Sequence, residues 1–388
     1  MEQIIVKEEP KEVDSFDQLN LKETLLRGIY GYGFEKPSLI QARAIPLIMQ
    51  GTDVIAQSQS GTGKTGAFTI GTIQMTNEQI NGVHSIIVAH TKELAQQISD
   101  VARSLCVHTK IKVVLCMGGQ DIRNTRTELS SGPIIVVCTP GRLIDLVKRR
   151  FINTRLVKLL VIDEADEMLS DSFQDQIKVV INLVPQNAQV CLFSATITPT
   201  VLDLTKRFMT NPKTILVEKE HVTLDGIQQF YVDVDNDQLK FETLCDLYKV
   251  MDVSQTIIYV NSRESGKDLQ YRLEQHKFTA SLIHSGMTPL ERATVMKSFK
   301  NGESRILIST DLLSRGIDIQ QISIVVNYDI PRNKECYIHR IGRSGRFGRK
   351  GVAINLVTRR DFRNLDDLKE YYKVTIDPLP VDFQNYLV

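Results

Sequence analysis

A chain of 388 residues has room for two or three domains, and its 42% hydrophobic and 24% charged residues exclude a disordered or fibrous polymer. The 47 basic residues are balanced by 46 acidic ones, so bulk charge announces no nucleic acid and any such partner must meet a local patch. No apolar run reaches the ~20 residues that span a bilayer, the opening MEQIIVKEEPKEVD is unlike a signal peptide, and the six cysteines include no C-x-x-C pair. A soluble protein of a reducing compartment is expected, with Cys138 and Cys191 as buried thiols inside apolar runs.

Along the chain, the first segment of note is Phe34–Gln41, FEKPSLIQ. A glutamine amide offers a donor and an acceptor, as the adenine edge does, and a phenylalanine ring can stack on a base; a lone glutamine is equally at home on a surface. The apolar run Asp53–Ala56 follows, then Ser58–Thr65, SQSGTGKT, then a stretch of helical character, TGAFTIGTIQM. The spacing is that of the phosphate loop G-x-x-x-x-G-K-[ST], with Ser58 in place of its first glycine. Gly61 and Gly63 let backbone N–H groups turn toward an anion at a helix N-terminus. Lys64 brings a charge to the β- and γ-phosphates, and Thr65 a hydroxyl to Mg2+.

Further short runs follow at Ser85–Ala89, Lys112–Cys116, Pro133–Cys138, Lys158–Ile162 and Gln189–Phe193, separated by helical stretches such as Thr91–Leu105 and Arg142–Arg149. Nearly continuous apolarity in strand-length pieces predicts a doubly wound α/β domain whose parallel sheet is buried on both faces. A triphosphate site needs an acid at the end of a buried strand, and Asp163-Glu164-Ala165-Asp166 stands directly after Lys158–Ile162. By position Asp163 is the metal-side acid, and Glu164 is placed to orient or deprotonate the attacking water.

The charged segment 217–226, VEKEHVTLDG, lacks an apolar period and is the expected linker, leaving a tail at 1–15, a first domain at 16–216 and a second at 227–388. In the second, Gln229–Val234, Thr256–Val260, Thr279–Ile283, Arg305–Ser309, Ile322–Asn327 and Val352–Val357 repeat the strand pattern. One local patch of charge exists: Arg332, Lys334, Arg340, Arg343, Arg346, Arg349 and Lys350 against the single acid Glu335. Within it Arg343 and Arg346 are three residues apart and face one way on a helix or turn. They read either as arginine fingers aimed at a triphosphate or as a basic stripe against RNA or solvent. Asn333-Lys334-Glu335-Cys336 lacks the aspartate of the N-K-x-D element of GTPases.

In this order the motifs resemble those of the DEAD-box RNA helicases, over nearly everything from Phe16 to Val388. GFEKPSLIQ at 33–41 resembles the Q motif, with Phe16 as the isolated upstream aromatic. SGTGKT at 60–65, Gly118-Gly119, TPGR at 139–142, DEAD at 163–166, SAT at 194–196, STDLLSRGID at 309–318 and HRIGRSGR at 339–346 follow. The resemblance implies two tandem RecA-like domains, ATP and Mg2+ as cofactors, and RNA-stimulated ATP hydrolysis coupled to local unwinding of short RNA duplexes, in translation initiation. It implies that Phe34 and Gln41 hold adenine and that Ser58, Gln59, Ser60, Gly61, Thr62, Gly63, Lys64 and Thr65 hold the phosphates. Asp318 would reach the ribose, while Arg343 and Arg346 would complete the γ-phosphate site only in a closed form. Asp166, Ser194, Thr196 and His339 resemble the residues that link hydrolysis to RNA engagement.

The implied RNA face is Thr91, Lys92, Gly118, Gly119, Thr139, Gly141, Arg142, Arg292 and Thr310. Hydroxyls, main-chain N–H groups and cations suit phosphate and ribose rather than base edges, so sequence-independent binding of single strands and short duplexes is implied. Scaffold proteins that control domain closure are the implied protein partners of a monomer that works away from membranes, in the cytoplasm, with the nucleus left open. The chain departs from the family pattern in places. PTRELA reads His90-Thr91-Lys92-Glu93-Leu94-Ala95, so Lys92 keeps the charge of an arginine without its planar fork. Pro289 stands three residues before Arg292, where the family prefers glutamine, HGD reads His284-Ser285-Gly286, and Ser58 takes a position that is commonly alanine. These departures bear on the grip on RNA rather than on nucleotide chemistry. An ATP-gated RNA clamp within a larger RNA-processing assembly uses the same motifs and is the alternative; a DNA-directed ATPase is disfavoured by the implied 2′-OH contacts.

Overall fold

The computed structural model of the chain describes residues 13–58, 62–130, 132–170, 173–197, 199–215, 227–250, 255–311, 322–342, 344 and 351–383. The chain divides into two compact units, Met1–Val217 and Glu218–Val388. The expected linker lies outside the described residues, as do Gln59, Ser60, Gly61, Asp318, Arg343 and Arg346.

The apolar runs of the first unit form β1 (Val54–Gln57), β2 (Gly82–Val88), β3 (Lys112–Cys116), β4 (Pro133–Cys138), β5 (Leu159–Asp163) and β6 (Gln189–Ser194). A short edge strand that sequence reading missed, β7 (Lys213–Ile215), completes a parallel sheet of order β3-β4-β2-β5-β6-β1-β7. The second unit contributes β8 (Ile227–Asp233), β9 (Thr256–Tyr259), β10 (Ala280–Ile283), β11 (Ile306–Ser309), β12 (Ile324–Asn327), β13 (Gly351–Val357) and β14 (Asp377–Pro378), ordered β10-β11-β9-β12-β13-β8-β14. Adding seven to every strand number of the first sheet gives the second, so one winding occurs twice.

Side chains alternate between the two faces of each strand. In the first sheet Val54, Ala56, Leu159 and Val161 join one core, under the helices Glu23–Tyr32, Leu39–Met49, Lys64–Met75 and Lys92–Leu105. Ile55, Leu160 and Ile162 join the other, under Pro140–Lys148, Gln174–Leu183 and Pro199–Thr205. Cys138 and Cys191 are fully buried in these layers, and burial raises both thiols well above their ordinary range, as expected of inert core cysteines. The helix Lys64–Met75 is buried over most of its circumference because it lies between the sheet and the helix Leu39–Met49. A β-carbon on Gly71 would stand 2.8 Å from Ile48 Cδ1, so the glycine permits the approach that brings residue 41 beside the start of the phosphate-loop helix. Among the described residues no helix is long and apolar enough to cross a membrane.

Candidate functional site

Strands β5, β6 and β1 are neighbours, and their carboxyl ends carry Asp163, Ser194 and Ser58. Ligands of open α/β sheets bind at such ends. Ser58 prolongs the β1–β6 ladder by donating its N–H to Ser194 O at 2.9 Å. Lys64 is only 6% exposed and folds back over the loop, its Nζ donating to Ser58 O at 2.8 Å. Gly63 starts the helix in the left-handed region, φ 103°, where a β-carbon would be strained and would also meet Ser38 Oγ at 2.7 Å and Gln41 Nε2 at 2.8 Å. The hydroxyls of Ser58 and Thr62 bond to each other across the loop, and Thr65 follows Lys64, half-buried.

Gln41 is buried with both ends of its amide engaged: Oε1 accepts from Ser38 N at 2.9 Å, and Nε2 donates to Gly63 O at 3.2 Å. The first bond is half of a capping box, visible in the sequence as Ser38-x-x-Gln41 and not used in reading it. The second ties the segment Phe34–Gln41 to the phosphate loop. Phe34 is half-buried between the rings of Phe16, 6.1 Å away between centroids, and Tyr32, at 5.0 Å. Phe16 is thus a buried support of Phe34.

Asp163 and Glu164 are each 2% exposed. Burial, with Glu164 beside it, pushes the Asp163 carboxyl up to about 7 against the pull of Lys64. Asp163 Oδ1 accepts the Glu164 N–H at 2.9 Å, across a backbone that turns left-handed at Glu164, φ 50°. The donors gathered here, a buried carboxylate, a second acid and the Thr65 hydroxyl on the neighbouring loop, are hard oxygens with one opposing cation, a set that fits Mg2+. Of the four residues implied to couple hydrolysis to RNA, the structure joins three directly: Thr196 Oγ1 donates to Asp166 Oδ2 at 2.7 Å, Ser194 Oγ donates to Thr196 O at 2.7 Å and accepts from Thr196 N at 3.2 Å. His339 belongs to the second unit, fully buried in the last turn of the helix Lys334–Ile341.

The implied RNA residues of the first unit also converge, on the carboxyl ends of β2, β3 and β4. Thr91 caps the helix Lys92–Leu105, accepting from Leu94 N at 3.2 Å. Lys92 lies over Gly118 and Gly119, and Thr139 N donates to Cys116 O at 3.2 Å. Gly141 is exposed in the helix that begins at Pro140. Arg142 turns inward: its side chain is 9% exposed, and its guanidinium donates to Met117 O at 2.9 Å and Gln120 O at 2.6 Å. Those donors hold the Gly118–Gly119 turn from below. In the second unit Arg292 is half-buried on the helix Pro289–Lys300, which Thr288 caps, and Thr310 follows β11, with Ser309 Oγ donating to Thr310 O at 2.6 Å.

The patch at 332–350 needs correcting at Arg340. This residue is fully buried rather than presented to a polyanion. Its Nε donates to Asp311 Oδ1 at 2.6 Å, its Nη1 to Asp329 O at 2.7 Å and its Nη2 to Asn261 Oδ1 at 2.8 Å, with the Tyr259 ring 5.2 Å away. The ends of β9, β11 and β12 leave polar groups under one roof, and a planar five-donor cation satisfies several at once. Lys240 is a second buried cation, with Asp237, Asp329 and Asp361 at 3.1, 3.6 and 3.8 Å. Sequence spacing carries no signal for either role.

Residues 38–204 match the family model described as DEAD/DEAH box helicase, and residues 239–348 match the helicase conserved C-terminal domain. The chain is 50% identical over 368 residues to eukaryotic initiation factor 4A of Caenorhabditis elegans, covering 95% of this chain and 92% of that protein. It is 51% identical over 375 residues to the ATP-dependent RNA helicase eIF4A of Eremothecium gossypii, covering 97% and 95%. Among solved structures it is similar to S. cerevisiae Dbp5 bound to RNA and ADP BeF3, with a TM-score of 0.90, 36% identity, and 96% and 97% of the two chains covered.

Proposed function

The chain belongs to the DEAD/DEAH box helicases, an ATP-dependent RNA helicase built on two tandem RecA-like units, and from that premise we propose that it works in translation initiation in the cytoplasm. Its task there is local separation of short RNA duplexes, without sequence choice, as a monomer whose closure scaffold proteins control. Half-identity to initiation factors over nearly the whole of both chains supports the pathway. The single observation that carries the chemistry is the alignment of Ser58, Asp163–Glu164 and Ser194–Thr196 on three adjacent strand ends, with Lys64 folded back onto Ser58.

In this reading the domains are 16–216 and 227–388, joined by 217–226. Phe34 and Gln41 hold adenine, and the loop Ser58, Gln59, Ser60, Gly61, Thr62, Gly63, Lys64 and Thr65 holds the phosphates. Asp163 and Thr65 would hold Mg2+, largely through water, and the ion would supply positive charge to offset that of the phosphates. Glu164 orients the attacking water, and Arg343, Arg346 and Asp318 serve the nucleotide from the second domain. The Thr196–Asp166 bond supports a coupling role, because a shift of the 194–196 turn pulls on the acid cluster. Arg142 serves RNA by holding the Gly118–Gly119 turn.

The test is ATP hydrolysis with and without single-stranded RNA, repeated with DNA and with GTP, alongside duplex separation and RNA residence time. Stimulation by RNA alone, with ATP alone, and separation of short duplexes are expected. Long ATP-dependent RNA retention without separation makes the protein a clamp; equal stimulation by DNA overturns RNA specificity.

Mg2+ binding should also be proton-coupled. Because burial and Glu164 hold the Asp163 carboxyl up at about 7, a proton competes with the metal below that pH. Titration of Mg2+ in the presence of ADP should show affinity falling by up to about tenfold per pH unit below pH ~7 and levelling above it. Asp163→Asn should flatten the profile; a flat wild-type profile removes Asp163 from the metal. The sign for folding is opposite. With its carboxyl raised, the metal-free first unit binds a proton on folding and loses stability as pH climbs from the ordinary carboxylate range through about 7.

A further inference from the structure

The strand β13, GVAINLV, is buried along its whole length and carries one polar side chain, Asn355. Asn355 shares a face of the sheet with Ala353 and Val357, which pack in one apolar cluster with Ile338 and Ile341 of the helix Lys334–Ile341. A lone amide is costly in such a layer, yet Asn355 is fully buried with both ends of its amide engaged. Its Oδ1 accepts from Nδ2 of Asn327, its register partner on β12, at 2.9 Å. Its Nδ2 donates to Phe230 O at 2.9 Å and to Tyr337 Oη at 3.3 Å. Tyr337 Oη in turn donates to Gln229 Oε1 at 2.9 Å, and Asn327 Oδ1 accepts from Arg340 Nη1 at 3.4 Å. Gln229, Tyr337, Asn327 and Arg340 are buried as well, so one continuous polar chain crosses β8, β13 and β12 beneath the helix.

The chain of amides meets the helix at two points. Tyr337 and Arg340 are one helical turn apart on the same side, and Tyr337 bonds to Asn355 while Arg340 bonds to Asn327. Apolar packing sets how far the helix stands from the sheet, but it has no direction. Hydrogen bonds at two points do, and a helix that slid or turned would leave buried amides unpaired. Burial raises the Tyr337 phenol above its ordinary range, which keeps it a neutral donor. The helix leads to functional groups: His339 lies in its last turn, and Arg343 and Arg346 follow its end in the sequence.

We propose that Asn355, paired with Asn327, is a positioning residue for ATP hydrolysis: the two amides fasten the helix Lys334–Ile341 to the sheet at Tyr337 and Arg340, and so fix the point from which Arg343 and Arg346 reach a triphosphate. The inference rests on the reading of those arginines as partners of the γ-phosphate. It is tested by steady-state ATP hydrolysis of the full chain with Mg2+ and saturating single-stranded oligouridylate, well below the unfolding midpoint of each variant. Tyr337→Phe removes one hydroxyl and keeps the packed ring, and Asn355→Leu replaces the amide by an apolar group of similar size. Each should lower kcat about tenfold, a fraction of the roughly 10²-fold that a 1 Å misplacement costs, and leave KM for ATP within about twofold of wild type. In an Arg346→Ala background, already slow, either change should cost nothing further. Partial unfolding would lower activity by the same factor in both backgrounds, so this saturation separates positioning from damage to the fold. A raised KM with kcat kept, or a loss that multiplies with Arg346→Ala, overturns the inference. If kcat stays within about twofold in Tyr337→Phe and Asn355→Leu while Arg346→Ala loses hydrolysis, the inference falls and the reading of the arginines stands. If Arg346→Ala itself hydrolyses ATP normally, both fall.

Discussion

Lys64→Ala should lower RNA-stimulated ATP hydrolysis by about 10²–10³-fold or more, the scale set by removing one preorganised charge from a phosphoryl-transfer site. Lys64 is 6% exposed, its ammonium sits 2.8 Å from Ser58 O, and it is the cation that opposes the rise of the Asp163 carboxyl. Alanine therefore removes two things. The phosphates lose a direct partner, and Asp163, already held at about 7, rises further and is protonated at neutral pH, when a carboxylate is wanted for the metal. The variant should accordingly need more Mg2+ as well as turn over more slowly, and raising the pH should recover part of the metal affinity but not the rate. Steady-state hydrolysis and Mg2+ titrations at two pH values separate these effects. Turnover within a few-fold of wild type would falsify the assignment of Lys64 to the phosphates.

Parts of this molecule are written locally and parts are not. Most of the strands are nearly continuous apolar runs such as Lys158–Ile162, legible because a strand buried on both faces has few polar positions to interrupt it. β7 and β14 are three and two residues long, at sheet edges, and Lys213-Thr214-Ile215 or Asp377-Pro378 has no periodicity to read. The phosphate loop is legible because the anion is bound by consecutive backbone groups, so spacing and function coincide. The Gln41 amide is legible by residue type, but what it holds is not, since Gly63 is 22 residues away. Arg340 marks the same limit from the other side: an arginine in a basic stretch looks like surface, and only the tertiary fold shows that carbonyls and carboxylates from distant strands close over it.

The largest effect on stability is expected at Arg340. Methionine reproduces much of the stem but none of the five donors, so Arg340→Met would leave Asp311 Oδ1, Asn261 Oδ1 and Asp329 O without the partners they have at 2.6, 2.8 and 2.7 Å. Asp311, with its side chain 42% exposed, returns to water, so the cost comes from the part-buried Asn261 and Asp329 acceptors left unpaired at about 1–3 kcal/mol each, roughly 3 kcal/mol in sum. For a unit of this size that is a fall of roughly 10 °C in the unfolding midpoint. The loss should be confined to the second unit, so a calorimetric trace of the full chain should show one transition moving while the other stays. Asp311→Asn keeps an acceptor for Nε and should cost less than half as much. The expected position of the damage is also functional, since Asp311 directly follows Thr310 and leads into the segment that carries Asp318. RNA affinity should therefore fall in Arg340→Met at temperatures where the unit is still folded, with nucleotide affinity of the first unit retained. If the midpoint stays within about 2 °C of wild type, less than the roughly 2–4 °C that a single kcal/mol is worth, Arg340 is not the keystone of those three strand ends.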